Sequence, residues 1–83
     1  MEEKLIKQRL KEMAAEADAD LAARGEGARR GYAEKRINRR WVFVEAFRRD
    51  SGRVVHGYFV SGRDLPQSKL VEAILNGVPP KSD

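Results

Sequence analysis

Arginine side chains are the residues in this sequence whose type and spacing could do chemistry. Between residues 29 and 40, six basic side chains occur and Glu34 is the only acidic one. A guanidinium group binds phosphate or carboxylate through paired hydrogen bonds and also stacks on aromatic rings. The sequence therefore predicts a basic binding surface, composed of Arg29, Arg30, Lys35, Arg36, Arg39, Arg40, Arg48, Arg49 and Arg53.

Aromatic side chains lie close to this basic segment, with five of the six between Trp41 and Phe59 and the sixth at Tyr32. Basic charge, aromatic rings and an antiparallel ribbon together are typical of proteins that contact the nucleic-acid backbone. The chain contains no complete recognition motif for RNA or DNA, so the choice between them and any sequence preference stay open. A high arginine content also follows from a GC-rich genome, whatever the function.

His56 is the only histidine, and the chain contains neither cysteine nor threonine. A recognisable metal site needs several such ligands, and a general base needs a partner, for which Asp50 and Glu45 are the nearby carboxylates. The sequence predicts no metal, no cofactor and no catalytic residue. We expect a non-enzymatic protein with a structural His56, and a small basic ribonuclease is the enzyme class to test against.

The length and the charge of the chain limit the classes of protein to which it can belong. The chain has 83 residues, which suffices for one small domain with a thin margin of stability. Its net charge of +4 is concentrated in residues 21–63, which carry eleven basic and four acidic side chains. The absence of cysteine, of a secretory signal and of a long apolar run predicts a cytoplasmic protein.

Residues 1–24 are predicted to form a helix, because the segment lacks proline and glycine and has apolar residues at helical spacing. The stripe either packs on the rest of the chain, which we favour, or pairs with a second copy in a homodimer. Its members are Ile6, Leu10, Met13, Ala17 and Leu21.

Residues 41–60 are predicted to form a β-hairpin around the turn Asp50-Ser51-Gly52. A three-residue turn places Phe43 opposite Phe59. Both faces of this hairpin are then largely apolar, which predicts cover on both sides by two helices, or by a helix and a partner. The same register pairs Phe47 with Val55 and Val44 with Tyr58.

The remaining segments complete an α+β domain with a long N-terminal helix, a hairpin or small three-stranded sheet and a short C-terminal helix. Residues 25–31 are predicted to be a glycine-rich loop and residues 32–63 a basic β region, whose first part is an edge strand or an extended arm. Residues 64–78 are predicted to be a helix, and residues 79–83 a disordered tail.

These patterns predict a small non-enzymatic protein, in homodimeric form, whose central arginine-rich β region contacts nucleic acid. The alternative is an inhibitor or adaptor of the kind found in phages and plasmids, which blocks a host protein such as a defence nuclease. Its basic surface would then meet an acidic protein surface.

Overall fold

The computed structural model of the chain describes residues 2–78 and shows an α+β architecture, which confirms the predicted fold class. A long helix is followed by four antiparallel strands in the order β1-β2-β3-β4 and by a short second helix. The predicted tail, residues 79–83, lies outside the described residues. The elements are α1 (Glu3–Ala23), β1 (Arg30–Ile37), β2 (Arg40–Arg48), β3 (Val54–Val60), β4 (Arg63–Leu65), a 3₁₀ turn (Gln67–Lys69) and α2 (Leu70–Asn76).

The β2–β3 hairpin has the register that its sequence predicts. Phe43 lies opposite Phe59, and the neighbouring pairs also agree with the prediction. The chain reverses at Gly52, where φ is +90°, a conformation that glycine adopts without steric cost. The Gly52 amide donates to the carbonyl oxygen of Arg49 at 2.8 Å, and the Arg49 amide donates to that of Arg53 at 2.8 Å.

Strand β4 and the late start of α2 correct the sequence prediction for residues 61–78. Ser61 and Gly62 both have positive φ, at 51° and 83°, and form a tight turn that returns the chain to the sheet. Residues Arg63–Leu65 consequently pair with β3 instead of beginning a helix. Pro66 then precedes a 3₁₀ turn, and α-helical geometry begins only at Leu70.

Both helices pack on the same face of the sheet. Alternate residues of a strand point to opposite faces, and the buried members of the three long strands all point toward the helices. The five residues of the predicted α1 stripe are buried there, so this stripe packs on its own chain. The core is completed by Ala33, Ile37, Val42, Val44, Ala46, Val60, Leu70, Ala73 and Ile74.

Gly31 brings α1 close to the sheet and corrects its predicted place in the 25–31 loop. It is buried within β1, and a Cβ atom built on it would collide with backbone atoms of Leu21 and Ala17. The absence of a side chain at this position therefore allows the helix to lie directly on the strand.

The opposite face of the sheet is left without a layer by the described residues. The molecule measures 39 × 32 × 17 Å, and its shortest dimension fits one layer of helices on one sheet. Cover of the two faces by two helices is thus wrong, and cover of the second face by a partner stays a prediction.

Candidate nucleic-acid interface

The face of the sheet turned away from the helices is termed the open face. The pairing register assigns its residues, because directly opposed residues project to the same side. It is rich in aromatic rings and carries charges of both signs. Its members are Arg30, Tyr32, Glu34 and Arg36 of β1, Trp41, Phe43, Glu45 and Phe47 of β2, Val55, Gly57 and Phe59 of β3, and Asp64 of β4.

Three rings on the open face form a continuous row across β1, β2 and β3, termed the aromatic row. The ring centroids of Tyr32 and Phe43 are 5.3 Å apart, and those of Phe43 and Phe59 are 5.4 Å apart with an interplanar angle of 64°. Such offset and edge-to-face pairs are favourable geometries for aromatic rings. All three side chains remain partly exposed, so the row presents ring surface outward.

Guanidinium groups lie over the rings at the margins of the aromatic row. The Cζ atom of Arg24 is 5.3 Å from the ring centroid of Tyr32. Toward the two ends of the sheet, Arg30 lies 5.2 Å over Phe47, and Arg36 lies 5.5 Å over Trp41. These distances are within the range of cation–π interactions, so the rings hold the three guanidinium groups beside the open face.

Five of the predicted arginines gather where β1 begins and the β2–β3 hairpin turns, and this cluster is termed the arginine end. Arg29 is tied to the hairpin turn, because its Nη1 atom donates to Asp50 Oδ1 at 2.6 Å. A depression of about 200 Å³ lies here, and Asp50 also lines it. The arginine end consists of Arg29, Arg30, Arg48, Arg49 and Arg53.

The other four predicted basic residues lie elsewhere, and two of them have structural partners. Lys35 is on the helix-covered side, where its Nζ atom donates to Glu16 Oε1 at 2.8 Å. Arg40 donates from Nη1 to the carbonyl oxygen of Ile74 at 2.6 Å and so satisfies the last turn of α2. Arg36 belongs to the open face, and Arg39 is exposed in the β1–β2 turn. The nine residues therefore do not form one surface.

His56 lies on the helix-covered side, and its partner comes from α1. Its Nε2 atom is 2.8 Å from Asp18 Oδ1, whereas the sequence suggested Asp50 or Glu45. Burial, together with the negative charge of Asp18, raises the pKa of the Tyr58 phenol. This arrangement joins α1 to β3 and lies away from the aromatic row.

Asp20 fastens the outer edge of β1 to the end of α1. Its Oδ2 atom accepts from the Tyr32 amide at 2.8 Å and from Arg24 Nε at 2.9 Å. These hydrogen bonds, with the backbone amide contributing most, lower the pKa of the Asp20 carboxyl. Asp20 thereby positions both Tyr32 and the guanidinium group above its ring.

Sequence reasoning missed the aromatic row and Arg24 as parts of the candidate interface. The alternation along β2 was a usable signal, because Val42, Val44 and Ala46 alternate with larger aromatic residues. The predicted position of the helices led away from this signal, because helices on both faces of the hairpin would have buried the aromatic rings. Arg24 has no comparable signal, since it reaches Tyr32 only through the loop that follows α1.

Comparison of the chain with protein-family profiles, curated proteins and solved structures finds no match. In the part of the chain that the structure describes, no helix has the length and apolar character needed to cross a membrane. Among the same residues, no three histidine or carboxylate side chains converge as a metal site would require.

Proposed function

We propose that this protein binds nucleic acid without catalysing a reaction, and that the arginine end contacts the phosphate backbone. The observation that carries the proposal is the location of five arginines at one end of the sheet, where three of them, Arg29, Arg48 and Arg49, line one depression. Arginine forms paired hydrogen bonds with phosphate oxygens, and most of the affinity of such proteins comes from phosphate contacts.

The shape of the arginine end supports this proposal. Arg48 and Arg49 line its depression together with Arg29, and Gly27 and Gly52 contribute no side chain there. Asp50 neutralises part of the charge through its bond to Arg29, yet its side chain is 92% exposed. A phosphate could therefore replace a solvent-exposed ion pair at little cost, since such pairs contribute little to stability.

The test is a titration of labelled oligonucleotides by fluorescence anisotropy at several salt concentrations. Replacing Arg48, Arg49 and Arg53 together by glutamine should weaken binding at least tenfold and reduce the slope of log affinity against log salt by about 2 to 3, because about one counterion is released per phosphate contact. The matched control replaces Lys4, Arg9 and Lys11 of α1 by glutamine, which removes the same charge from exposed positions. An equal loss in both variants, or no binding by the parent protein at low salt, would contradict the proposal.

The absence of catalysis is part of the proposal and is tested separately. Its support is that His56, the only histidine of the chain, lies on the helix-covered side of the sheet and not on the open face. Prolonged incubation with RNA should leave the RNA intact. Cleavage that is lost in His56→Ala would show instead that the protein is a ribonuclease.

The second candidate function is that of an inhibitor or adaptor that binds an acidic protein surface. The homodimer predicted from the sequence belongs to the nucleic-acid-binding proposal and is tested separately. The observation that favours a protein contact is the open face, because uncovered apolar surface of this kind often marks an interface. A purified partner that binds with unchanged affinity after nuclease treatment would favour this function. Sedimentation at several concentrations tests the homodimer.

A further inference from the structure

We infer that the aromatic row takes the unpaired bases of a single-stranded nucleic acid while the arginine end holds its phosphates. The inference rests on the proposed function and adds the class of ligand, a single strand instead of a duplex. It places the bases on the open face, where the structure brings rings and guanidinium groups together.

The exposed rings give the first argument. Trp41 is 54% exposed, and Tyr32, Phe43 and Phe59 keep part of their ring surface outward. Covering the ring surface that is still exposed removes apolar area from water, so a ligand with flat apolar faces gains free energy here. Every base has such a face, and unpaired bases stack on aromatic side chains with little regard to sequence.

The stacked arginines give the second argument. Arg30 lies over Phe47 and also belongs to the arginine end, so it links the open face to that end of the sheet. At the opposite end, Arg36 lies over Trp41. Arg30 also forms an ion pair with Glu45, because its Nη1 atom lies 3.6 Å from Glu45 Oε2, yet its side chain is 57% exposed and can still meet a phosphate. This arrangement suits a strand whose bases lie inward and whose backbone lies at the margin.

The acidic residues of the open face give the third argument and favour a single strand over a duplex. Glu34, Glu45 and Asp64 lie on this face, and only Arg30 and Arg36 among its own residues oppose them. A duplex presents phosphates outward and would bring them against these carboxylates. A single strand can turn its bases toward the face and keep its phosphates near the arginines. A carboxylate also accepts hydrogen bonds from base amino groups.

The competing occupant is a protein surface, above all a second copy of this chain. A mixed-charge apolar face can complement itself, but that contact would leave the five arginines at the hairpin end without a role. A single strand uses the rings and the arginines together, and for this reason it is the ligand proposed.

The experiment compares a short single-stranded oligonucleotide with a duplex of the same sequence in the full chain. Trp41 is the only tryptophan, so stacking at the open face should quench the fluorescence of the protein. Phe43→Leu and Tyr32→Leu retain apolar volume but remove a ring, and each should weaken single-strand binding about tenfold. Trp41→Leu is a further variant at an exposed position, where folding is least at risk, and its binding is followed by the anisotropy of a labelled oligonucleotide because it contains no tryptophan. Tyr58→Leu removes a ring from the helix-covered side and is the matched control, expected to leave binding within about twofold.

The outcomes separate the two proposals. Failure to bind any nucleic acid overturns both. Binding that is lost with the arginine variant but is equal for duplex and single strand, and is unchanged by Phe43→Leu, Tyr32→Leu and Trp41→Leu, overturns the inference and leaves the proposed function standing. A stable dimer at micromolar concentration that already shields Trp41 from an added quencher would assign the open face to a second copy and also overturn the inference.

Discussion

The two faces of the sheet use the same strands but very different residues. Along β2, Val42, Val44 and Ala46 point to the helices and are fully buried, whereas Trp41 and Phe43 point outward. Gly31 allows α1 to approach closely, so short aliphatic side chains fill the space between helix and strand. The larger rings lie on the side that residues 2–78 leave without a second layer.

This difference teaches that the rings of the open face are not needed to pack the core. The buried cluster among the described residues is entirely aliphatic apart from Met13, and Tyr58 only packs against its margin. Aromatic side chains usually contribute most to a core because of their area. The proposal of a single-stranded ligand rests on these rings, which the described residues leave uncovered.

Replacing a glycine on each face should give the largest contrast. In Gly31→Ala the new methyl group meets the backbone of α1, so helix and strand must separate, and we expect a loss of about 3 kcal/mol or more in unfolding free energy. Gly57→Ala places a methyl group on the open face, 3.6 Å from Phe59 Cε2, which is an ordinary contact. Urea denaturation measures the unfolding free energy of both variants. Equal losses would show that the close approach of α1 is not a determinant of stability.

Truncating a large side chain on each face should give the next largest contrast. Ile37 is 3% exposed on the helix-covered side of β1, and Ile37→Ala should cost about 2–4 kcal/mol through lost burial and a cavity. Trp41→Ala removes a larger side chain, but its 54% exposure should keep the loss to about 1 kcal/mol. Thermal unfolding of the two variants checks the ranking. A larger loss for Trp41→Ala would mean that the open face is covered in the folded protein.

The smallest expected effect is a pH dependence of the unfolding free energy, which arises from Asp20 at the junction of α1 and β1. The Tyr32 amide and Arg24 lower the pKa of the Asp20 carboxyl in the folded protein. The stabilisation that this carboxylate gives is therefore complete above its ordinary pKa near 4, and it is lost as the pH falls through the lower pKa of the folded state. Asp20→Asn should therefore be less stable than the parent at pH 7, and the difference should shrink at pH 3 or below. Urea midpoints at both pH values measure it. A difference that stays constant with pH would show that the carboxylate charge is not involved.

The elements with strong local signals could be predicted from the sequence. The apolar spacing of α1 and the turn Asp50-Ser51-Gly52 predicted a helix and a hairpin whose pairs the structure confirms. The β1–β2 turn was harder, because Asn38 and Arg39 both have positive φ and arginine seldom adopts that conformation. The Ser61-Gly62 dipeptide was a usable turn signal, and β4 could have been predicted from it.

The candidate interface was less predictable, because its membership depends on the long-range placement of the helices. Charge in the sequence could not distinguish Arg40, whose guanidinium group caps α2, from the exposed Arg39 beside it. Nor could spacing show that Asp18 reaches His56 or that Lys35 turns toward Glu16. Such partners come together only when α1 is laid across the strands.

The contact between Asp20 and the Tyr32 amide also affects how copies of this protein can associate. An unpaired strand edge is a template on which another chain can add, and repeated addition leads to fibrils. On one side of the sheet, the Asp20 carboxylate already occupies an outward amide of β1. On the other side, β4 is only three residues long and offers a short edge. The protein can therefore display an apolar face while one border of its sheet has an outward amide occupied and the other border is short.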